Sequence, residues 1–283
     1  MASAGRIKRK FRELRARGEA ALIPFIVAGD PDLDTTRRLV LELEARGADL
    51  IEIGVPFSDP MADGPANQRA IARGLGAGAS LAAILSMVSE LRAQTQILLI
   101  LFGYFNPIFH YGCERLCADA ARAGIDAILT VDLPPEESAE LSRPARAHGL
   151  DIIYLLAPTT PLERSRKIAR SATGFLYYVS VTGVTGARTH LSSDLASHMS
   201  ALRTVTDLPI GVGFGISTPQ QAAEVATLAD AVVVGSAISL LVEAHISTGD
   251  VLEGVGGLVG AMKDAMRAAR QHPISPSAGD ANG

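Results

Sequence analysis

The chain has 283 residues, 48% of them apolar and 20% charged, with 27 Gly and 15 Pro. That composition is globular and excludes a disordered, collagenous or disulfide-built protein. Lys and Arg number 26 against 30 Asp and Glu, a net charge of -4, so no basic excess offers itself to nucleic-acid phosphates.

In chain order, Gly5 to Gly18 reads as a basic amphipathic helix with Ile7, Phe11 and Leu14 at helical spacing. It is expected to cap the core with its charges in solvent; a nucleic-acid or membrane patch is the alternative. No apolar signal-peptide core follows Met1. The longest stretch without Lys, Arg, Asp or Glu, from Ala93 to Cys113, holds Gln94, Thr95, Gln96, Asn106 and Pro107 and argues against a membrane span. The two cysteines, Cys113 and Cys117, are expected as buried thiols in a reducing, cytoplasmic setting.

Eight apolar runs then alternate with helical patterns. They begin near Leu22, Asp49, Gln96, Asp126, Asp151, Gly174, Leu208 and Asp230. Their near-continuous apolar character suits parallel strands covered on both faces. Helical patterns lie between them, among them Asp34 to Arg46, Cys113 to Arg122, Glu136 to His148 and Ser192 to Thr206. Asp34 and Ser192 are candidate N-caps, and Gly47, Gly124 and Gly149 candidate helix stops. The pattern predicts an α/β protein, a (β/α)8 TIM barrel with an extra N-terminal helix (about 5–18), as one domain over 1–271. A doubly wound open sheet is the rival, but no Gly-rich dinucleotide turn follows the first strand. The tail 272–283, rich in Pro, Ser, Gly and Ala, is expected to be disordered. The longest intervals between runs follow strands two and six, at the end where barrels carry their chemistry, which makes those loops candidate lids.

Strand two, LIEIGVP from Leu50, is interrupted by an acid. Side chains alternate along a strand, so Ile51, Ile53 and Val55 share one face and Leu50, Glu52 and Gly54 the other. With the isoleucines toward the helices, Glu52 points into the barrel. A carboxyl buried there without a partner is protonated more readily than a free one, which suits a group that both gives and takes protons. The plainer alternative pairs it with a buried base, yet strands one and three contain none. In the loop that follows, Asp59 and Asp63 both offer a second carboxylate, and spacing leaves the choice open. Pro65 can open the next helix.

Glycines at the ends of strands seven (Gly211, Gly213, Gly215) and eight (Gly235, before Ser236) suggest a phosphate cup, completed by Thr182 to Arg188 after strand six. Close packing alone is the alternative. Tyr177 is either core or site. Phe25, Phe102, Tyr104, Leu129 and Phe214 can line an aromatic-binding pocket or simply pack. The six His show no HxH or HExxH spacing, which disfavours a metal.

The segments PFIVAGDP (24–31), IEIGVPFSDPMADGP (51–65), GYFNPIFHYG (103–112), VTGVTGAR (181–188) and VGFGIST (212–218) occur in an order that resembles the tryptophan synthase alpha chain family. The resemblance covers roughly Phe11 to Arg267. It implies retro-aldol cleavage of indole-3-glycerol phosphate to indole and glyceraldehyde 3-phosphate. It gives Glu52 the proton on indole C3, Asp63 the ring N–H, and Tyr177 a place beside Glu52. It implies that Thr185 meets Asp63 when the lid closes, that Gly186, Gly215, Gly235 and Ser236 hold the phosphate, and that Phe25, Phe102, Leu129 and Phe214 sandwich the indole. Phe102 and Gly103 depart mildly from the family pattern. The resemblance also implies a beta-chain partner in an alpha2beta2 heterotetramer, met through the strand-two loop and Tyr104 to Pro107. That partner binds pyridoxal phosphate; no cofactor or metal is expected in this chain. The rival functions are a stand-alone indole lyase, a catalytically silent partner-activating barrel and a phosphosugar isomerase.

Overall fold

The computed structural model describes residues 5–179, 188–213 and 215–271. Within them, eight parallel strands close into a barrel: β1 (Ala21–Val27), β2 (Leu50–Gly54), β3 (Leu98–Gly103), β4 (Ala127–Thr130), β5 (Asp151–Leu156), β6 (Leu176–Val179), β7 (Ile210–Gly213) and β8 (Ala231–Val234). The closing pair is β1 with β8, where Leu22 lies opposite Val232 and Pro24 opposite Val234. Closure leaves no open strand edge.

Alternation sorts the strand residues. Ile51 and Ile53 join Leu39, Val40, Leu43 and Ile84 in the layer between strands and helices. Leu50, Ile23, Ile100, Leu129, Tyr177 and Val233 fill the barrel itself. Helix α1 (Arg6–Ala16) closes the N-terminal end. Its Ile7, Phe11 and Leu14 are buried with those interior residues, and the Phe11 and Phe175 rings lie 5.7 Å apart. Arg6 on the same helix pairs with Asp126 at 2.6 Å. The capping role expected from the stripe is what this packing shows.

The outer helices start and stop for local reasons. Helix α2 (Leu33–Ala45) is capped by Asp32, whose carboxylate accepts from Thr35 N, and not by Asp34, which lies in its first turn. Glycines with positive φ at 47, 124 and 149 end helices as expected. The long interval after β2 holds two helices: α3 (Pro65–Gly76), with Pro65 at its first turn, and α4 (Leu81–Leu91), capped by Ser80. Next come α5 (Phe105–Tyr111), α6 (Cys113–Ala123), α7 (Ala139–Ala147) and α8 (Leu162–Ser171). Helix α9 (Arg188–Arg203) already runs through Ser192, which therefore is not its cap. Helix α10 (Pro219–Leu228) opens with a Thr218–Gln221 capping box, followed by α11 (Ser236–His245) and α12 (Val251–Gln271). Cys113 and Cys117 are buried on α6, and burial pushes the Cys117 thiol up to about 12. No single helix among the described residues is long and apolar enough to cross a membrane.

Candidate active site at the barrel mouth

Glu52 is fully buried, and among the described residues neither of its carboxyl oxygens has a hydrogen-bond partner. Its neighbours across the sheet are Phe25 on β1 and Ile100 on β3. With no donor to stabilise the anion, burial alone pushes its pKa to about 8. The buried-base alternative for this residue is therefore absent among the described residues. Tyr177, from the opposite side of the barrel, is buried, and its phenol is raised first by burial and then by the Glu52 charge. Space for Tyr177 comes from a glycine: a Cβ at Gly213 would fall on the Tyr177 hydroxyl.

Above this pair lie the apolar walls. Phe25 and Phe102 meet edge to face, with centroids 5.0 Å apart. Leu129, fully buried, pairs in register with Phe102. Gly54 has no room for a side chain, because a Cβ would sit 2.7 Å from Phe25 Cζ. The Phe25 ring also borders Gly235, where a Cβ would lie 3.4 Å from Phe25 Cδ1. Gly235 is the N-cap of α11 and has no side chain to bond the first N–H groups of that helix, which open at the same mouth. Gly215, with φ of 74°, follows the neighbouring β7. Thr185, Gly186 and Phe214, with the rest of the strand-six loop over 180–187 and the tail 272–283, lie outside the described residues.

The two loop acids separate. Asp59 is exposed and accepts from its neighbour Ser58 at 2.8 Å, as a turn residue does. Asp63 is half-buried. Its Oδ2 accepts the Tyr104 hydroxyl at 2.6 Å and its Oδ1 the Asn67 amide at 3.4 Å. Burial raises its pKa and outweighs these two donors. Tyr104, read from sequence as a possible pocket wall, instead turns its hydroxyl to Asp63 and packs its ring on Phe57.

Two features of the mouth escaped the sequence. Asp30, after β1, is buried and accepts from Arg73 Nε at 2.6 Å and Nη2 at 2.9 Å, one edge of the guanidinium. Glu243 on α11 binds Arg69 and Arg73 of α3, so the loop after β1, α3 and α11 are tied together. The second is the Asn67 contact with Ser239 on α11, at 2.9 Å. A surface cleft of about 660 Å³ between α6 and α7 is open and gathers Glu114, Arg115, Glu140 and Arg143, and neither Glu52 nor Asp63 lines it. Among the described residues no three His, Cys, Asp or Glu are grouped as metal ligands would be.

Known proteins align with this chain over nearly its full length. The family model described as tryptophan synthase alpha chain matches residues 11–267. The tryptophan synthase alpha chain of Citrifermentans bemidjiense is 56% identical over 261 residues, covering 92% of this chain and 97% of that one. That of Gluconacetobacter diazotrophicus is 54% identical over 241 residues, 84% and 87% of the two chains. Among solved structures, tryptophan synthase subunit alpha from Legionella pneumophila superposes with a TM-score of 0.87 at 39% identity, covering 95% of this chain and 99% of that one. A chain of Mycobacterium tuberculosis tryptophan synthase gives 0.84 at 33% identity, covering 93% and 99%. An inward acid on β2, a second acid above it and this extent of likeness agree: the chain belongs to the tryptophan synthase alpha chain family.

Proposed function

We propose that the chain cleaves indole-3-glycerol phosphate to indole and glyceraldehyde 3-phosphate, with Glu52 as the proton carrier and Asp63 as the charge stabiliser. The observation that carries this reading is the buried Glu52 carboxyl, unpartnered among the described residues, with its pKa near 8, which keeps a proton available at neutral pH.

The carbon–carbon bond breaks only if the ring can accept its electron pair. Glu52 gives its proton to indole C3, and positive charge develops over C2 and the ring nitrogen. Asp63, ionised, accepts from the ring N–H and stabilises that charge. Glu52, now a carboxylate, removes the proton from the side-chain hydroxyl. The hydroxyl carbon becomes the aldehyde, and the electrons of the breaking bond restore the indole. The proton count closes, and each step is acid–base chemistry that calls on no metal or organic cofactor.

Phe25, Phe102 and Leu129, with Phe214, hold the apolar ring between them. The N–H groups opening α11 at Gly235 and Ser236, with Gly215 and Gly186, suit a phosphate. Tyr177 stands beside the Glu52 carboxyl, and Thr185 is assigned to the lid that meets Asp63.

The partner is a beta chain, with an alpha2beta2 assembly in the cytoplasm and pyridoxal phosphate on the beta chain. Exposed apolar side chains on the first of the two assigned segments and just beyond the second support this: Met61 in the loop after β2 is 90% exposed, and Phe109 on α5, two residues past Pro107, is 58% exposed. The barrel over 1–271 acts as one domain.

The test is indole release from indole-3-glycerol phosphate by the purified chain, alone and with a beta chain. Slow release alone and a large stimulation by the beta chain are expected; equal rates would leave a stand-alone lyase. Glu52→Gln and Asp63→Asn should each lower release at least about 100-fold in folded protein. Full rates in either would refute that residue's role.

A further inference from the structure

Asn67 lies in the first turn of α3, four residues after Asp63. Its amide nitrogen donates to Asp63 Oδ1 at 3.4 Å, and its amide oxygen accepts the Ser239 hydroxyl at 2.9 Å. Ser239 is buried, on α11, three residues beyond Ser236. The two contacts agree on how the amide must face. An ionised carboxylate only accepts, so the NH2 group turns to Asp63, and the carbonyl is left to a hydroxyl that donates. The other Asp63 oxygen belongs to Tyr104. The carboxylate is thus gripped from two sides, by one donor at the end of β3 and one that α11 orients.

We propose that Asn67 is a positioning residue: it fixes the Asp63 carboxylate and, through Ser239, ties that carboxylate to the helix that seats the phosphate. This deepens the functional reading above and rests on it. The ring N–H carries little charge in the bound substrate and much more once C3 is protonated. An interaction that aims Asp63 therefore acts on the transition state, not on the bound substrate. Substrate affinity comes from the apolar walls and the phosphate cup, whereas the bonds described for Asn67 go to Asp63 and Ser239. Nor does Asn67 alone hold the two helices together, because Arg69 and Arg73 bind Glu243 across the same junction.

The experiment measures indole release from indole-3-glycerol phosphate by the unaltered chain, Asn67→Leu, Ser239→Ala and the double variant, with urea denaturation of each. Leucine keeps the branched shape of Asn67 at Cγ and removes both bonds. Its kcat should fall about tenfold, the cost of a lost bond to a charged group, with KM within about twofold of the unaltered chain. Ser239→Ala, which removes a single oxygen and serves if the leucine variant fails to fold, should lower kcat about threefold. The double variant should be no slower than Asn67→Leu alone, because Ser239 acts only through Asn67. Multiplying losses, a rise in KM at constant kcat, or full kcat in either single variant would overturn the assignment while the functional reading stands. No indole from the unaltered chain would overturn the functional reading itself.

Discussion

The Tyr104 hydroxyl donates to Asp63 Oδ2 at 2.6 Å and accepts the Ala62 N–H at 2.9 Å. A residue just past β3 thereby carries the carboxyl of the loop after β2, 41 positions earlier. Burial raises the Asp63 pKa, and Tyr104 is the larger of the two donors that hold it down. Tyr104→Phe removes that donor, so the pKa should rise further. In the proposed reaction Asp63 acts ionised, so activity should fall below its pKa, and the acidic limb of kcat should move to higher pH. At neutral pH the rate should drop about tenfold. An acidic limb that stays in place would count against Asp63 as the ionised partner.

Gly213 makes room for Tyr177. Gly213→Ala sets a methyl group on the Tyr177 hydroxyl, and the ring must leave its place beside Glu52. The cost of such overpacking is about 1–3 kcal/mol in urea denaturation. Indole release should fall even at temperatures where the variant is fully folded. A stable variant at full rate would show that the Tyr177 position does not matter.

At the opposite end of the barrel, Lys263 on α12 is buried and bonds Asp49 at 2.7 Å and the Ala20 carbonyl at 3.2 Å. The same Asp49 oxygen accepts the Leu22 N–H at 3.0 Å. Lys263→Met leaves that carboxylate buried without its cation and should cost about 3–5 kcal/mol of stability. The site lies at the other end, so kcat of the folded fraction should not change. Urea melts and kcat together check this; a kcat loss that exceeds the loss of folded protein would contradict it.

How much of this was written in the sequence depends on the distance between partners. The strands were legible because both faces of each are covered, which demands continuous apolar runs. Glu52 stood out because it alone breaks the second run with a charge. Its direction followed from the isoleucines at 51 and 53. Local caps were less secure: Asp32 and Asp34 flank the same turn, and only geometry shows that Asp32 reaches Thr35 N. Contacts between distant segments were not legible. Tyr104 with Asp63, Arg73 with Asp30 and Lys263 with Asp49 need the barrel register to bring them together. Asn67, four residues from Asp63 on a helix, carried a readable spacing, but its Ser239 partner did not.

Burial of Glu52 also makes stability depend on pH. Its pKa rises from an ordinary 4.5 in the unfolded chain to about 8 in the folded one. The folded state then holds a proton that the unfolded state has lost, so this stability is fully present below the unfolded value. It is lost as pH rises through the folded one. Glu52→Gln removes the titration. Relative to the unaltered chain, the variant should gain stability between about pH 5 and pH 9, on the order of 3 kcal/mol. Urea denaturation at the two pH values checks this; a difference that does not change with pH would mean that Glu52 titrates normally.

The most direct measurement is the pH dependence of indole release from indole-3-glycerol phosphate by the unaltered chain. In the proposed reaction Glu52 enters protonated, so the rate should fall above a midpoint near the pKa of about 8, and the small residual rate of Glu52→Gln should lack that limb. A rate that stays level well above that midpoint, or a Glu52→Gln variant that keeps the same basic limb, would mean that the proton on indole C3 comes from another group.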